Sequence, residues 1–225
     1  MSRVGVWALL AVLAGGCGGA GFHMRAATDA ITFGAPPEGR AQVVFVVPGR
    51  SRDVVSIVDQ RGTYYGQLRG QTVLVRDVAP GRYRFYAIRS VNGYVVDVPS
   101  IAAGQTAYIG GVDPVFTSFV WRSMTGCDDA SRQARAALAS LARIEPDPAV
   151  SHDTILAQLG DIPRRTGEAD RDLDAMSESD RMLHTVDAAS LERAGDCDRA
   201  AAVTEPATAT EAEPAPSSTE PPVTP

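Results

Sequence analysis

Short runs rich in apolar residues recur at strand-like spacing between residues 40 and 122, at 42–47, 54–59, 64–68, 72–78, 83–89, 94–98, 106–109 and 117–122. Runs of this length, rich in β-branched and aromatic residues, predict strands. Turn dipeptides punctuate them: Pro48-Gly49, Arg61-Gly62, Arg69-Gly70, Pro80-Gly81 and Asn92-Gly93, the last a preferred pair for a type I′ hairpin. In the fifth run Tyr83, Phe85 and Ala87 share one face, and Arg82, Arg84 and Tyr86 share the other. One face is therefore core and the other wet. Eight strands in about eighty residues predict a sandwich or small barrel, with Trp121 packed at the end of the last strand.

Beyond residue 123 the period changes. Ala134, Ala137, Leu138, Leu141 and Ile144 fall at helical spacing behind Asp128 and Asp129, so a helix is expected over 131–144, stopped by Pro146. Ser151 can cap a second helix that runs to Leu159 and ends at Gly160, with Pro163 preventing continuation; Ser177 and Asp180 form a weak capping box, and Gly195 ends the last helical piece. The fold class expected is α+β: an N-terminal antiparallel β-sandwich followed by short acidic helices. Residues 201–225, built of Ala, Thr, Pro, Glu and Ser, cannot bury enough apolar surface to fold and are expected to be a disordered tail.

The N-terminal pattern is of another kind. Arg3 precedes an apolar run over 4–14 that is too short to span a ~30 Å hydrocarbon layer as a helix, and Ala14-Gly15-Gly16-Cys17 follows. This resembles the lipobox of bacterial lipoproteins, with Ala14 where that pattern usually has leucine. The resemblance implies cleavage before Cys17 and its acylation, and Gly18 rather than Asp after it implies the outer membrane. Three cysteines in an exported chain leave one over, whereas lipidating Cys17 leaves Cys127 and Cys197 as an even pair. The alternatives are an ordinary signal peptide cut near the same glycines, and two unpaired thiols at Cys127 and Cys197. The divisions expected are a signal peptide (1–16), a lipidated tether (17–39), the sandwich (40–122), an acidic helical segment (123–200) and the tail.

Charge sharpens this division. The net −6 combines 12 Arg against 7 acids up to Gly126 with 9 Arg against 20 acids from Cys127 onward. No residue after Trp121 is aromatic, so the strong core is expected before Arg122. The residues from 123 to 200, at the border of what folds alone, should dock on the sandwich or stay loosely ordered. Every basic residue is arginine, which excludes lysine Schiff bases, Walker-type phosphate loops and lysine general bases. Arg76, Arg82 and Arg84 are candidates for one exposed face that meets an anionic partner: lipid headgroups, an acidic envelope glycan, or the chain's own acidic half. A solvated polar face is the simpler alternative.

Asp77-Val78-Ala79-Pro80-Gly81-Arg82-Tyr83-Arg84-Phe85, with Val58-Asp59, Gly66-Gln67-Leu68 and Ala103-Gly104-Gln105-Thr106-Ala107-Tyr108-Ile109, resembles surface-anchored bacterial domains of the PEGA and transthyretin-like type. The resemblance is closer still to uncharacterised lipoprotein families with the same strand, Pro-Gly-x-Tyr, strand pattern. It covers about 80 of the 225 residues. It implies an Ig/transthyretin-like sandwich in which Pro-Gly turns and the tyrosine returns to the core, and it carries over no catalytic residue. Asp170-Arg171-Asp172-Leu173-Asp174 opens like a calcium loop, but Ala175 stands where glycine is needed and Arg181 where the bidentate glutamate belongs. His23, His152 and His184 have no metal-cage spacing, and no linear catalytic motif is found. The expectation is thus an envelope lipoprotein, periplasmic or surface-facing, acting as a binding or structural module. No cofactor, metal or nucleic acid is expected; its partners would be the bilayer and an envelope protein or anionic glycan or lipid. The alternative is a secreted or periplasmic enzyme with no linear motif.

Overall fold

The computed structural model describes residues 21–28, 33–89, 92–112 and 120–191. The signal segment, Cys17, Cys197, the Gly195 helix end and the tail lie outside them. The fold is mixed α+β with two β-sheets.

The strands are β1 (Met24–Ala26), β2 (Ala41–Val47), β3 (Val55–Asp59), β4 (Tyr64–Leu68), β5 (Thr72–Val78), β6 (Gly81–Ile88), β7 (Gly93–Ile101), β8 (Thr106–Val112), β9 (Val120–Ser123) and β10 (Ala142–Pro146). One sheet has the order β1-β10-β5-β2-β8-β9, and the other β4-β3-β6-β7. All eight expected strands are present, within a few residues at their ends; residues 117–119 of the last lie outside the described residues. Their inward residues make one core in which Phe45, Phe85, Leu74, Ile57, Val96 and Trp121 are buried. Trp121 stacks on Phe45 at 6.2 Å, and Phe85 meets Phe45 edge-on at 5.1 Å.

The expected all-antiparallel sandwich needs correcting. The four-stranded sheet is antiparallel throughout, but β2 runs parallel to β8 and β5 parallel to β10. The chain leaves β2 for the second sheet (β3, β4), returns as β5, crosses again (β6, β7) and comes back as β8. The second sheet thus supplies the crossover that a parallel pair requires.

Two further strands were not expected. β1 lies inside the segment read as tether, pairing with β10 as the sheet edge. β10 itself interrupts the helix expected over 131–144. Helix α1 (Asp129–Ala136) is capped by Asp128, which accepts from the Ser131 N–H, and a 3-10 turn (Ala137–Ser140) then leads into β10. Strand pairing with β5 and β1 satisfies the backbone groups that a longer helix would have satisfied. In the β6–β7 hairpin, Arg89 N–H donates to the Asn92 carbonyl at 2.8 Å and Ile88 pairs with Gly93. Asn92 and Gly93 therefore follow the reversal rather than form it.

The acidic segment packs on the sheets. Helices α2 (His152–Gln158) and α3 (Ile162–Ala175) bury Ile155, Ala169 and Leu173 against Val58, Tyr64, Tyr86, Ile88 and Val95 on the outer face of the second sheet. Ser151 caps α2, Gly160 follows it at φ +72°, and Asp161 caps α3 with Pro163 in its first turn. Pro163 thus starts a helix as well as ending one. α4 (Glu178–Leu183) is capped by Ser177, which accepts from the Asp180 N–H. Beyond it the Asp97 N–H donates to the His184 carbonyl and the Val186 N–H to the Asp97 carbonyl, each at 2.8 Å, and Val186 enters the central core.

Candidate functional site

An open groove of about 640 Å³ lies on the outer face of the second sheet, where the β3–β4 turn, β6 and α3 meet. Gln60, Arg61, Arg82, Arg84, Tyr86, Thr166 and Asp170 line it, with largely buried Tyr83 at its edge. The strand alternation that buries Tyr83 and Phe85 is what turns Arg82, Arg84 and Tyr86 toward it.

The turn is built around Asp59. Its buried carboxylate accepts from the Arg61 N–H (2.8 Å), the Thr63 N–H (2.9 Å) and the Tyr65 hydroxyl (3.1 Å), while Gly62 takes φ +76°. Only glycine adopts that conformation without strain. Burial, followed by the Asp59 charge, raises the Tyr65 pKa, so this phenol stays a donor. Gln60 is held at both ends by β6: its amide nitrogen donates to the Arg82 carbonyl (3.2 Å), and its carbonyl accepts from the Arg84 N–H (2.8 Å).

The charges are unequally committed. Arg84 contacts Asp97 at 3.4 Å and Asp170 of α3 at 2.9 Å. Burial works to lower its pKa, and the two carboxylates outweigh burial, so the guanidinium is held above its ordinary value. Tyr86 donates to Asp170 at 3.0 Å, and burial together with that carboxylate pushes the phenol up to about 12. Arg82, 67% exposed, reaches Asp97 only at 3.7 Å, and Arg61 is exposed. Arg61 and Arg82 are therefore the cations that the groove offers to an incoming anion, with Arg84 a fixed element behind them.

Arg76 does not share this face. It belongs to β5 in the other sheet, and its Nε and Nη2 donate to the Tyr65 carbonyl at 2.8 and 2.7 Å, stitching the two sheets together. Burial lowers its pKa. The expected trio thus divides into a groove pair and a structural arginine. From sequence Gln60 and Asp97 carried no signal, Arg61 was marked only by its turn with Gly62, and Asp170 only as the opening of a calcium-like loop. No linear pattern joins Asp170 to Arg84 across 86 positions.

Cys127 is disulfide-bonded, and the other half of that bond lies outside the described residues. Asp170 to Asp174, which opened like a calcium loop, are part of α3. The histidines stand in three settings: His23 against Gln158, His152 edge-on to Tyr64, and His184 against the Val95 carbonyl. Among the described residues no helix is long and apolar enough to cross a membrane. No known family model and no curated protein matches the chain.

Proposed function

We propose that this protein is an envelope lipoprotein, held at the outer membrane by acylation of Cys17, whose folded part is a binding module that presents the arginine groove to an anionic envelope partner. The observation that carries the reading is the apolar segment over 4–14 ending at Ala14-Gly15-Gly16-Cys17. The disulfide at Cys127 supports it, since such bonds persist in compartments outside the reducing cytoplasm. His23, six positions after Cys17, is tied to the fold, its N–H donating to the Gln67 side chain at 2.7 Å. Lipidation would thus hold the module close to its membrane.

The sandwich is proposed to be of the PEGA/transthyretin-like type. Pro80-Gly81 makes the turn, and Tyr83 returns to the core with its hydroxyl donating to the Ala79 carbonyl at 2.8 Å. Envelope anions carrying carboxylate or phosphate match a pair of exposed guanidiniums on a rigid strand and turn.

Metabolic labelling with palmitate tests the anchor: label is expected in the wild-type chain and absent from Cys17→Ala. Equal label in both, or none in either, overturns it. Affinity capture of the full chain from envelope fractions tests the groove. An anionic partner should be retained by the wild type and lost from Arg61→Gln/Arg82→Gln. Retention by both removes the groove as the binding surface.

A further inference from the structure

We propose that the anchored module stands with one particular end on the bilayer, where Arg50, Arg52 and Arg69 meet anionic headgroups, so that the groove points away from the membrane; this rests on the acylation of Cys17 proposed above. The two basic clusters lie at opposite ends of the second sheet. In the β3–β6 pair, Ser56 faces Ile88 at one end and Asp59 faces Phe85 at the other. Gln60, Arg61 and Arg82 continue from the Asp59 end, and residues 50–53 and Arg89 from the Ser56 end. At ~3.3 Å per residue the strand between them separates the ends by roughly 20 Å.

The Ser56 end is also where the chain enters. Arg69 lies over the Phe22 ring at 4.3 Å, and Phe22 packs against the central core. The Gly70 N–H donates to the Ser51 carbonyl at 2.8 Å and the Gln71 N–H to the Gly49 carbonyl at 2.9 Å. These bonds place the loop bearing Arg50 and Arg52 against the turn bearing Arg69. All three arginines are exposed. Asp53 of that loop is neutralised by Arg89, and Asp147, near His23, uses its carboxylate to accept from the Ala149 N–H. Phe22 is only five positions after Cys17, with four residues between them. Fully extended, that stretch reaches about 18 Å, so the arginine rim cannot stray far from the headgroups, and the strongest screening-limited attraction, within ~8 Å, is within its range.

Because the chain contains no lysine, arginine-directed labelling with phenylglyoxal reads every basic side chain in one experiment. The full lipidated protein would be placed in vesicles of phosphatidylcholine with and without phosphatidylglycerol, and labelled sites quantified by mass spectrometry. Anionic vesicles should lower labelling of Arg50, Arg52 and Arg69 on the order of fivefold, the factor expected for one headgroup contact per arginine. High salt should restore it, and Arg61 and Arg82 should change by less than about twofold in either case. Equal labelling at both ends, or protection of Arg61 and Arg82 instead, overturns the orientation while leaving the anchor standing. A chain that takes up no palmitate overturns both.

Discussion

Alanine in place of Gly93 tests how closely α3 is seated on β7. In a strand that exchange ordinarily stabilises by about 0.5–1 kcal/mol, because glycine loses the most backbone freedom on folding. Here a Cβ at residue 93 would stand 2.8 Å from the Arg165 carbonyl oxygen and 3.3 Å from its carbon. Both are backbone atoms of α3, so no rotamer change relieves the clash and the helix or the strand must shift. Overpacking of this kind costs about 1–3 kcal/mol, more than the gain in chain entropy. The net expectation for Gly93→Ala is a loss of about 1–2 kcal/mol. Gly167, on α3 itself, is the internal control: a Cβ there meets nothing within 4 Å. Gly167→Ala should stabilise by about 0.8–1 kcal/mol through helix propensity alone. Equilibrium urea unfolding, followed by the fluorescence of buried Trp121, measures both. A Gly93→Ala protein as stable as wild type or more so would refute the close approach. A destabilised Gly167→Ala would refute the open space over α3.

Asp128 caps α1, and burial of its carboxylate is outweighed by hydrogen bonds from Ser131 and by Arg122, which leaves its pKa below the ordinary value. Its contribution is complete above about pH 4 and disappears as pH falls through the lower folded value, so Asp128→Ala should cost about 1 kcal/mol at neutral pH, a difference that closes in acid unfolding titrations. His184 has its pKa lowered by burial, despite the Val95 carbonyl hydrogen bond. The unfolded chain therefore takes up a proton first as pH falls below about 6.5, and stability should decline through that window in the wild type but not in His184→Gln, as denaturant midpoints from pH 7.5 to 5 would reveal. Should Cys127 be bonded to Cys197, non-reducing mass spectrometry will recover the linked pair, and reduction should lower stability by about 4 kcal/mol, since the closed loop holds roughly seventy residues. Two free thiols in the native protein would end that pairing.

Short β-branched and aromatic runs made the strands legible. In 82–87 alternation did so as well: Tyr83, Phe85 and Ala87 enter the central core while Arg82, Arg84 and Tyr86 face the groove, because period two sends successive side chains to opposite faces. The Pro80-Gly81-x-Tyr83 turn and the caps at Ser151 and Ser177 were readable for a similar reason: each is satisfied by atoms within four residues. Residues 142–146 failed the same treatment. Leu138, Leu141 and Ile144 fit a helical face, yet the segment is extended because β5 and β1 offer it backbone partners about seventy and one hundred and twenty positions away.

The candidate site divides along the same line. Sequence by itself determined that Arg82 and Arg84 share a face with Tyr86, that the aromatic core precedes Arg122, and that the charge is split between two halves of the chain. Only tertiary structure decided that Arg76 belongs to the other sheet, that Asp170 neutralises Arg84, and that Arg61 and Arg82 are left facing solvent. Local periodicity and capping are enforced by neighbours along the chain and leave their mark in it. Pairing across sheets and helix docking are enforced by atoms that folding alone brings within a few ångströms, and the order of residues records no such distance.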